Sequence, residues 1–421
     1  MKRFRKEWIR GVNAALVAFL AFTLLVPAGA FGSEKKKKKD APVLAQSLPA
    51  RPQVDVSKLV WPEPPNTPRI RYLNYFAGQK IPTDAEEKAA KTSKQSWMDR
   101  LAGIAPENQS GNKMLPFQLL GPGMMAVDAE GELLVPDQRV GGIFVFNTET
   151  RDATMIRNGF EARFALVNGI AIDDDGRMFV TDGKLHHVLI FNEKRQVVDQ
   201  IAAGLIDPYG VAIDVENRRL YVVDTQQDQV FVFDADSFKL LRRIGTAGKK
   251  HELTTAGDFS LPSGVALDKE GNVYVTDTMN SRIEIFDADG NFVSQFGKNC
   301  DGQGCTPKPK GIAIDSDGHI WVADPMLDVL QVFSREGQLL AYLGGHGSLP
   351  GQFSSLVGVT IDKKNRVFAS DQYPGRVQMF RYITDAEAEQ WIKDKEAQRT
   401  AQRAGKEPPA TPQAAQALKP E

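Results

Sequence analysis

The chain of 421 residues is poor in the side chains that usually announce a reaction centre. It has two cysteines and five histidines. Two thiolates make a poor zinc site on their own, and four residues with no following histidine separate Cys300 from Cys305. That spacing excludes a c-type haem attachment motif. Basic clusters are equally scarce. The net charge is −1, but residues 1–40 contribute +7, which leaves −8 for the rest. An acidic body without a stripe of Lys and Arg is a poor match for nucleic acid, because phosphate contacts need clustered cations. Past residue 30 no stable membrane span is expected.

What is present begins with a targeting segment. A basic leader, MKRFRKEWIR, precedes the apolar run NAALVAFLAFTLLVPAGA, which is short for a span and interrupted by Pro27. Ala28-Gly29-Ala30 offers a small-x-small cleavage site, so residues 1–30 are expected as a signal peptide and the mature chain begins near Phe31. An uncleaved anchor is the alternative reading. Export predicts a periplasmic or secreted protein. Residues 31–67 form a lysine- and proline-rich linker. Its Lys35–Lys39 run reads as a solvated stretch, or as a contact with an anionic surface.

The body repeats one phrase. It is clearest at 262–286, PSGVALDKEGNVYVTDTMNSRIEIF, and recurs at 208 and 309. Six copies align on a first aspartate at 128, 173, 214, 268, 315 and 362. A second follows at 137, 182, 224, 277, 324 and 371, nine residues on in every copy except the third, which has ten. A period in the forties, carried by short alternating apolar runs without helical periodicity, predicts propeller blades. In the fourth copy VAL, VYV, RIEIF and NFVSQFG supply four strands, and Asp268 and Gly271 shape the first hairpin. Copy six lacks its fourth strand. RIRYLNYFAG at 69–78 resembles the missing phrase, and pairing it there closes the ring and removes an edge. The expected fold is all-β: a six-bladed propeller of four-stranded blades over residues 68–383, closed by an N-terminal strand. Short helices flank it, one as an insertion at 84–104 and one in a C-terminal segment, 384–421, that ends in a disordered tail.

The phrase Pro-x-Gly-Val-Ala-Ile/Leu-Asp, then Gly-Asn-Val-Tyr-Val-Thr-Asp, then Arg-Ile-x-Ile-Phe resembles the NHL repeat, whose arrays form six-bladed propellers. Copy one departs with Met124 in the place of the glycine. The resemblance implies several functional classes. One is the peptide-amidating lyases, with a histidine-built zinc site at the channel. Here His186 and His187 lie in a third-strand region, His319 in a hairpin, and His251 and His346 in loops, so none recurs facing the axis. Another is the calcium-dependent lactonases, whose ligands often stand just before the glycine that opens an inner strand. Those positions are Gly123, Asn168, Tyr209, Ser263, Lys310 and Val357, among which no carboxylate stands to hold a hard cation.

Twelve aspartates repeated in every blade read as turn caps, because a catalytic pair is needed once. Trp321 and Tyr274 read as core. Cys300 and Cys305, behind a signal peptide, are expected to form a disulfide pinning a glycine-rich tip. The expectation is a non-catalytic, monomeric binding or scaffold module that uses no cofactor and engages a protein or polysaccharide of the cell envelope. Asn168, Tyr209, Ser263 and Lys310 are expected to share the channel mouth. The long connections at 246–264, 298–311 and 344–358 form a second candidate surface. The alternative is a metal-dependent lyase or lactonase-like hydrolase working in the channel.

Overall fold

A computed structural model describes residues 55–63, 66–78, 118–157, 164–202, 204–246 and 255–403. The helix expected at 84–104 and the signal peptide lie outside the described residues, as does the tail beyond 403. The described chain forms six antiparallel sheets, five of four strands and one of five. Blade four shows the plan: Pro262–Leu267 innermost, then Val273–Asp277, Arg282–Phe286 and Phe292–Phe296 at the rim. Inner strands are buried while rim strands are largely exposed. This follows from packing: VYVTD and RIEIF have a strand on either side and a neighbouring blade against each face, whereas FVSQF stands at the sheet edge.

The N-terminal strand closes the ring. Ile70–Phe76 pairs antiparallel with Arg376–Tyr382, the third strand of blade six, with Tyr72 opposite Phe380 and Phe76 opposite Val377. Ile70, Tyr72 and Phe76 are buried, and the Tyr72 ring meets the edge of Phe380 at 5.4 Å between centroids. A fifth strand, Val60–Trp61, pairs outside Ile70–Phe76. It falls within the segment expected to be linker, so the sheet reaches further towards the N-terminus than the repeat phrase implied. Two strand residues without turn chemistry leave little to read. One α-helix, Asp385–Arg403, follows the ring among the described residues; its Thr384 and Glu387 form a reciprocal cap.

The core is a set of layers between neighbouring blades. Tyr221, Val223 and Val232 of blade three pack with Val265, Val273 and Val275 of blade four. Ile70 and Tyr72 join Trp321, Leu330 and Phe380 in the layer between blades five and six. Phe76 and Phe368 meet Phe144 and Phe146 where blade six returns to blade one. Closure is therefore a core event as well as an edge event.

Candidate functional site

The six inner strands meet around one axis by a repeated contact. Each opening glycine takes in the carbonyl of the residue at the matching place in the next blade. A Cβ on Gly169 would stand 2.7 Å from the Tyr209 oxygen, one on Gly210 2.3 Å from Ser263, and one on Gly264 2.3 Å from Lys310. Real side chains do not come so close, so the ring needs glycine there. Copy one solves the problem differently. Met124 donates its N–H to the Asn168 carbonyl at 2.9 Å, and it is Gly123 whose Cβ would crowd that oxygen, at 2.6 Å. Hydroxyl clips reinforce the contact: Thr181 Oγ1 donates to the Tyr209 carbonyl at 2.6 Å, Thr276 Oγ1 to Lys310 at 2.8 Å, and Ser370 Oγ to Gly123 at 2.9 Å.

This contact brings Asn168, Tyr209, Ser263 and Lys310 to one end of the ring, with different chemical freedom. Asn168 is fully buried and its amide is in use: it accepts from Gln138 Nε2 at 2.9 Å and donates to the Pro208 carbonyl at 3.0 Å. Ser263 is buried too, its hydroxyl 2.7 Å from Thr278 Oγ1. Tyr209 and Lys310 are half-buried, with the Lys310 ammonium 5.9 Å from the Tyr209 ring centroid. Both line a cavity of about 470 Å³ that opens over blades three to five, shared with Ser263, Leu261, Met279, Lys308 and Met326.

Met279 and Met326 were not expected from sequence, and Leu261 and Lys308 only as members of the long connections 246–264 and 298–311. Leu261 and Lys308 precede the Pro-x-Gly phrase, and Met279 and Met326 stand two places after a second aspartate, so the repeat alignment held the signal. Leu261, Met279 and Met326 are 43%, 45% and 62% exposed, an unusual concentration of bare apolar surface. Lys308 Nζ lies 2.8 Å from Met279 Sδ. Among the described residues no carboxylate lies within ion-pair reach of Lys308 or Lys310. One acid at this end of the ring is Asp207, on the blade-two side next to Gly183 and Asn168. Burial and then the neighbouring Asp224 carboxylate raise its pKa.

The two rows of repeat aspartates are structural. In the first row, Asp128, Asp173, Asp268, Asp315 and Asp362 each accept the N–H four residues on. Asp268 also accepts from the Tyr274 hydroxyl and Asp315 from Trp321 Nε1; both rings are core. The second row does more than cap a turn. Asp137 takes N–H groups from Leu120 and Gly121 on one side and from Arg139 and Val140 on the other. Asp182 and Asp224 likewise hold the loop entering the blade against the turn that follows. These carboxylates fix the mouth loops.

Among the described residues, metal ligands do not gather at the mouth. Among the described residues, the group whose ligand atoms could surround an ion is Asp173, Asp174 and Asp175. It lies at the other end of the inner strand, where Arg218 takes up all three carboxylates within 3.5 Å. His186 Nδ1 contacts the Ile206 carbonyl, His319 bonds Asp315, and His346 bonds Asp328. His251 lies outside the described residues. Cys300 and Cys305 form a disulfide with Cα atoms 5.2 Å apart, and Gln331 Nε2 donates to the Cys305 carbonyl.

Fold and repeat together define a six-bladed β-propeller whose repeated phrase is similar to the NHL repeat. Residues 99–298 match the family model of the SMP-30/gluconolactonase/LRE-like region. Over 106 residues the chain is 35% identical to a probable peptidyl-alpha-hydroxyglycine alpha-amidating lyase of Caenorhabditis elegans, a match covering 25% of this chain and 29% of that one. Over 42 residues it is 50% identical to the brain tumor protein of Drosophila melanogaster, 10% of this chain and 4% of that one. The chain thus spans under a third of the curated relatives it matches. A Bacteroides thetaiotaomicron protein of unknown function shares the fold, with a TM-score of 0.52 and 14% identity over 62% of this chain and 70% of that one.

Proposed function

We propose that this protein is an exported, non-catalytic binding propeller, periplasmic or secreted, whose mouth face engages a protein or polysaccharide partner of the cell envelope. The observation that supports it is the cavity over blades three to five. There, two cations with no carboxylate of the described residues in ion-pair reach stand among bare apolar side chains. Cations left open beside exposed apolar surface form a recognition surface rather than a stabilising one, since neither feature lowers the energy of the free protein. The ring beneath is held by carbonyl-to-glycine contacts and clamped loops, so the surface is presented ready-formed. The test is capture from an envelope extract on the immobilised protein. The Tyr209→Ala/Lys310→Glu variant alters the mouth without touching a core layer, and it should lose the partner. Undiminished capture moves the contact to the parts of the long connections at 246–264, 298–311 and 344–358 that lie outside this cavity.

A second reading, a metal-dependent lyase or lactonase-like hydrolase acting in the channel, draws support from the similarity to the amidating lyase and from the matched SMP-30/gluconolactonase/LRE-like region. It needs about three ligands converging on one ion. Metal analysis of the purified protein separates the readings: stoichiometric, tightly held zinc or calcium would overturn the cofactor-free one.

A further inference from the structure

The mouth cavity has a composition that narrows its ligand, and this inference rests on the mouth being the binding site. We propose that it takes an acidic, apolar peptide segment of a partner protein, with a carboxylate between Lys308 and Lys310 and apolar side chains on Leu261, Met279 and Met326. Charge complementarity supplies the first half. Among the described residues neither ammonium in the cavity has a carboxylate within ion-pair reach, although the buried Asp324 lies in the field of Lys308, and a ligand carboxylate would meet both in a half-desolvated site. The second half comes from the walls. Two thioethers and a leucine line the opening, and unbranched, polarisable methionines adapt to varied apolar side chains. A sugar chain would instead want a row of hydroxyl and amide partners. The amide of Asn168 and the hydroxyl of Ser263 are already spent inside the ring. The Tyr209 face is shared with Lys310, which places an aromatic wall beside the charge.

The experiment is fluorescence anisotropy on the whole protein with three labelled probes: a leucine–glutamate octapeptide, its leucine–glutamine counterpart, and an oligogalacturonate of similar length. The acidic peptide should bind at least tenfold more tightly than the neutral one, and 1 M sodium chloride should remove most of that difference. The Lys308→Gln/Lys310→Gln variant should lose the preference, and Met279→Ser/Met326→Ser should weaken both peptides alike. Urea unfolding of each variant confirms that the ring is intact. Equal binding of the two peptides, or an acidic preference that survives in the lysine variant, overturns the proposal. If the oligogalacturonate binds more tightly and the lysine variant loses it, the mouth stands as the site but the peptide assignment falls. If no probe binds while Tyr209→Ala/Lys310→Glu still abolishes capture, the peptide chemistry is again wrong and the mouth is not. If that capture is unaffected, the mouth itself is wrong.

Discussion

Glu284 offers a test in which the protein supplies its own control. It stands seven residues after the second aspartate of blade four, where blades five and six have Gln331 and Gln378. The three side chains accept equivalent N–H groups, from Gly257, Gly304 and Gly351. The glutamines use their second arm to donate to the next carbonyl, Cys305 or Gln352, at 2.6 Å. An ionised Glu284 has no hydrogen to give the matching carbonyl of Asp258. It is fully buried, with Arg282 Nη2 at 2.8 Å and the carboxylates of Asp277 and Asp258 nearby. Burial first of all, opposed by Arg282 and helped by the two aspartates, pushes its pKa up from 4.5 to about 7. The folded state therefore holds a proton that the unfolded chain releases at lower pH. Stability falls as pH rises from about 4.5 to about 7 and levels off above. At 1.36 kcal/mol per unit the loss is about 3 kcal/mol. Glu284→Gln should remove that slope, because blade six already runs the same arrangement with Arg376 and Gln378. Urea unfolding at pH 4.5, 6 and 8 should show variant and parent nearly equal at the lowest pH, with the variant ahead by up to about 3 kcal/mol at the highest. Asp324 and Asp371, also raised by burial, slope both proteins alike and drop out of the difference. A gap that does not change with pH, or a variant weaker at pH 8, would refute the reasoning.

Other outcomes follow from the ring. Gly264→Ala puts a methyl 2.3 Å from the Lys310 carbonyl; forcing blades four and five apart should cost about 3 kcal/mol or more in urea unfolding. A chain starting at residue 80 loses Ile70, Tyr72 and Phe76 from two core layers and leaves an open edge on blade six, and should aggregate in light scattering where the whole chain does not. Replacing both cysteines by serine opens a loop of only six residues and should lower stability by about 2 kcal/mol. Alkylation followed by intact-mass measurement should label the native pair only after reduction.

The blade count, the closing strand and the disulfide were legible in the sequence because each rests on a local signal: fixed aspartate spacing, a strand phrase missing at one end and present at the other, two cysteines flanking a glycine-rich tip. The mouth was legible in position but not in use. Asn168 and Lys310 occupy equivalent places, yet one amide is consumed by Gln138 and Pro208 and the other side chain is open. Which donor finds a partner depends on neighbouring blades, and a repeat alignment does not carry that information. The cavity walls at Leu261, Met279 and Met326 escaped for the opposite reason. Apolar residues beside a turn are ordinary in sequence and become notable only when neighbouring blades put them side by side. The second-row aspartates were legible as caps, but their hold on the preceding loop spans some 17 residues and lies beyond local turn chemistry.

The pairing of Tyr72 with Phe380 joins positions some 300 residues apart, and this sets an order of events during synthesis. The strand that leaves the ribosome before any blade is used after all of them. Until Arg376–Tyr382 exists, Ile70–Phe76 lacks its partner in blade six and leaves Ile70, Tyr72 and Phe76 uncovered, and blade six when it forms has a bare side. Such non-local pairing is slow, and the species that precede it are exposed to aggregation. The same dependence ties closure of the ring to the presence of both segments. A chain cut short before residue 376 lacks the strand that Ile70–Phe76 pairs with and should be cleaved by protease faster than the whole chain.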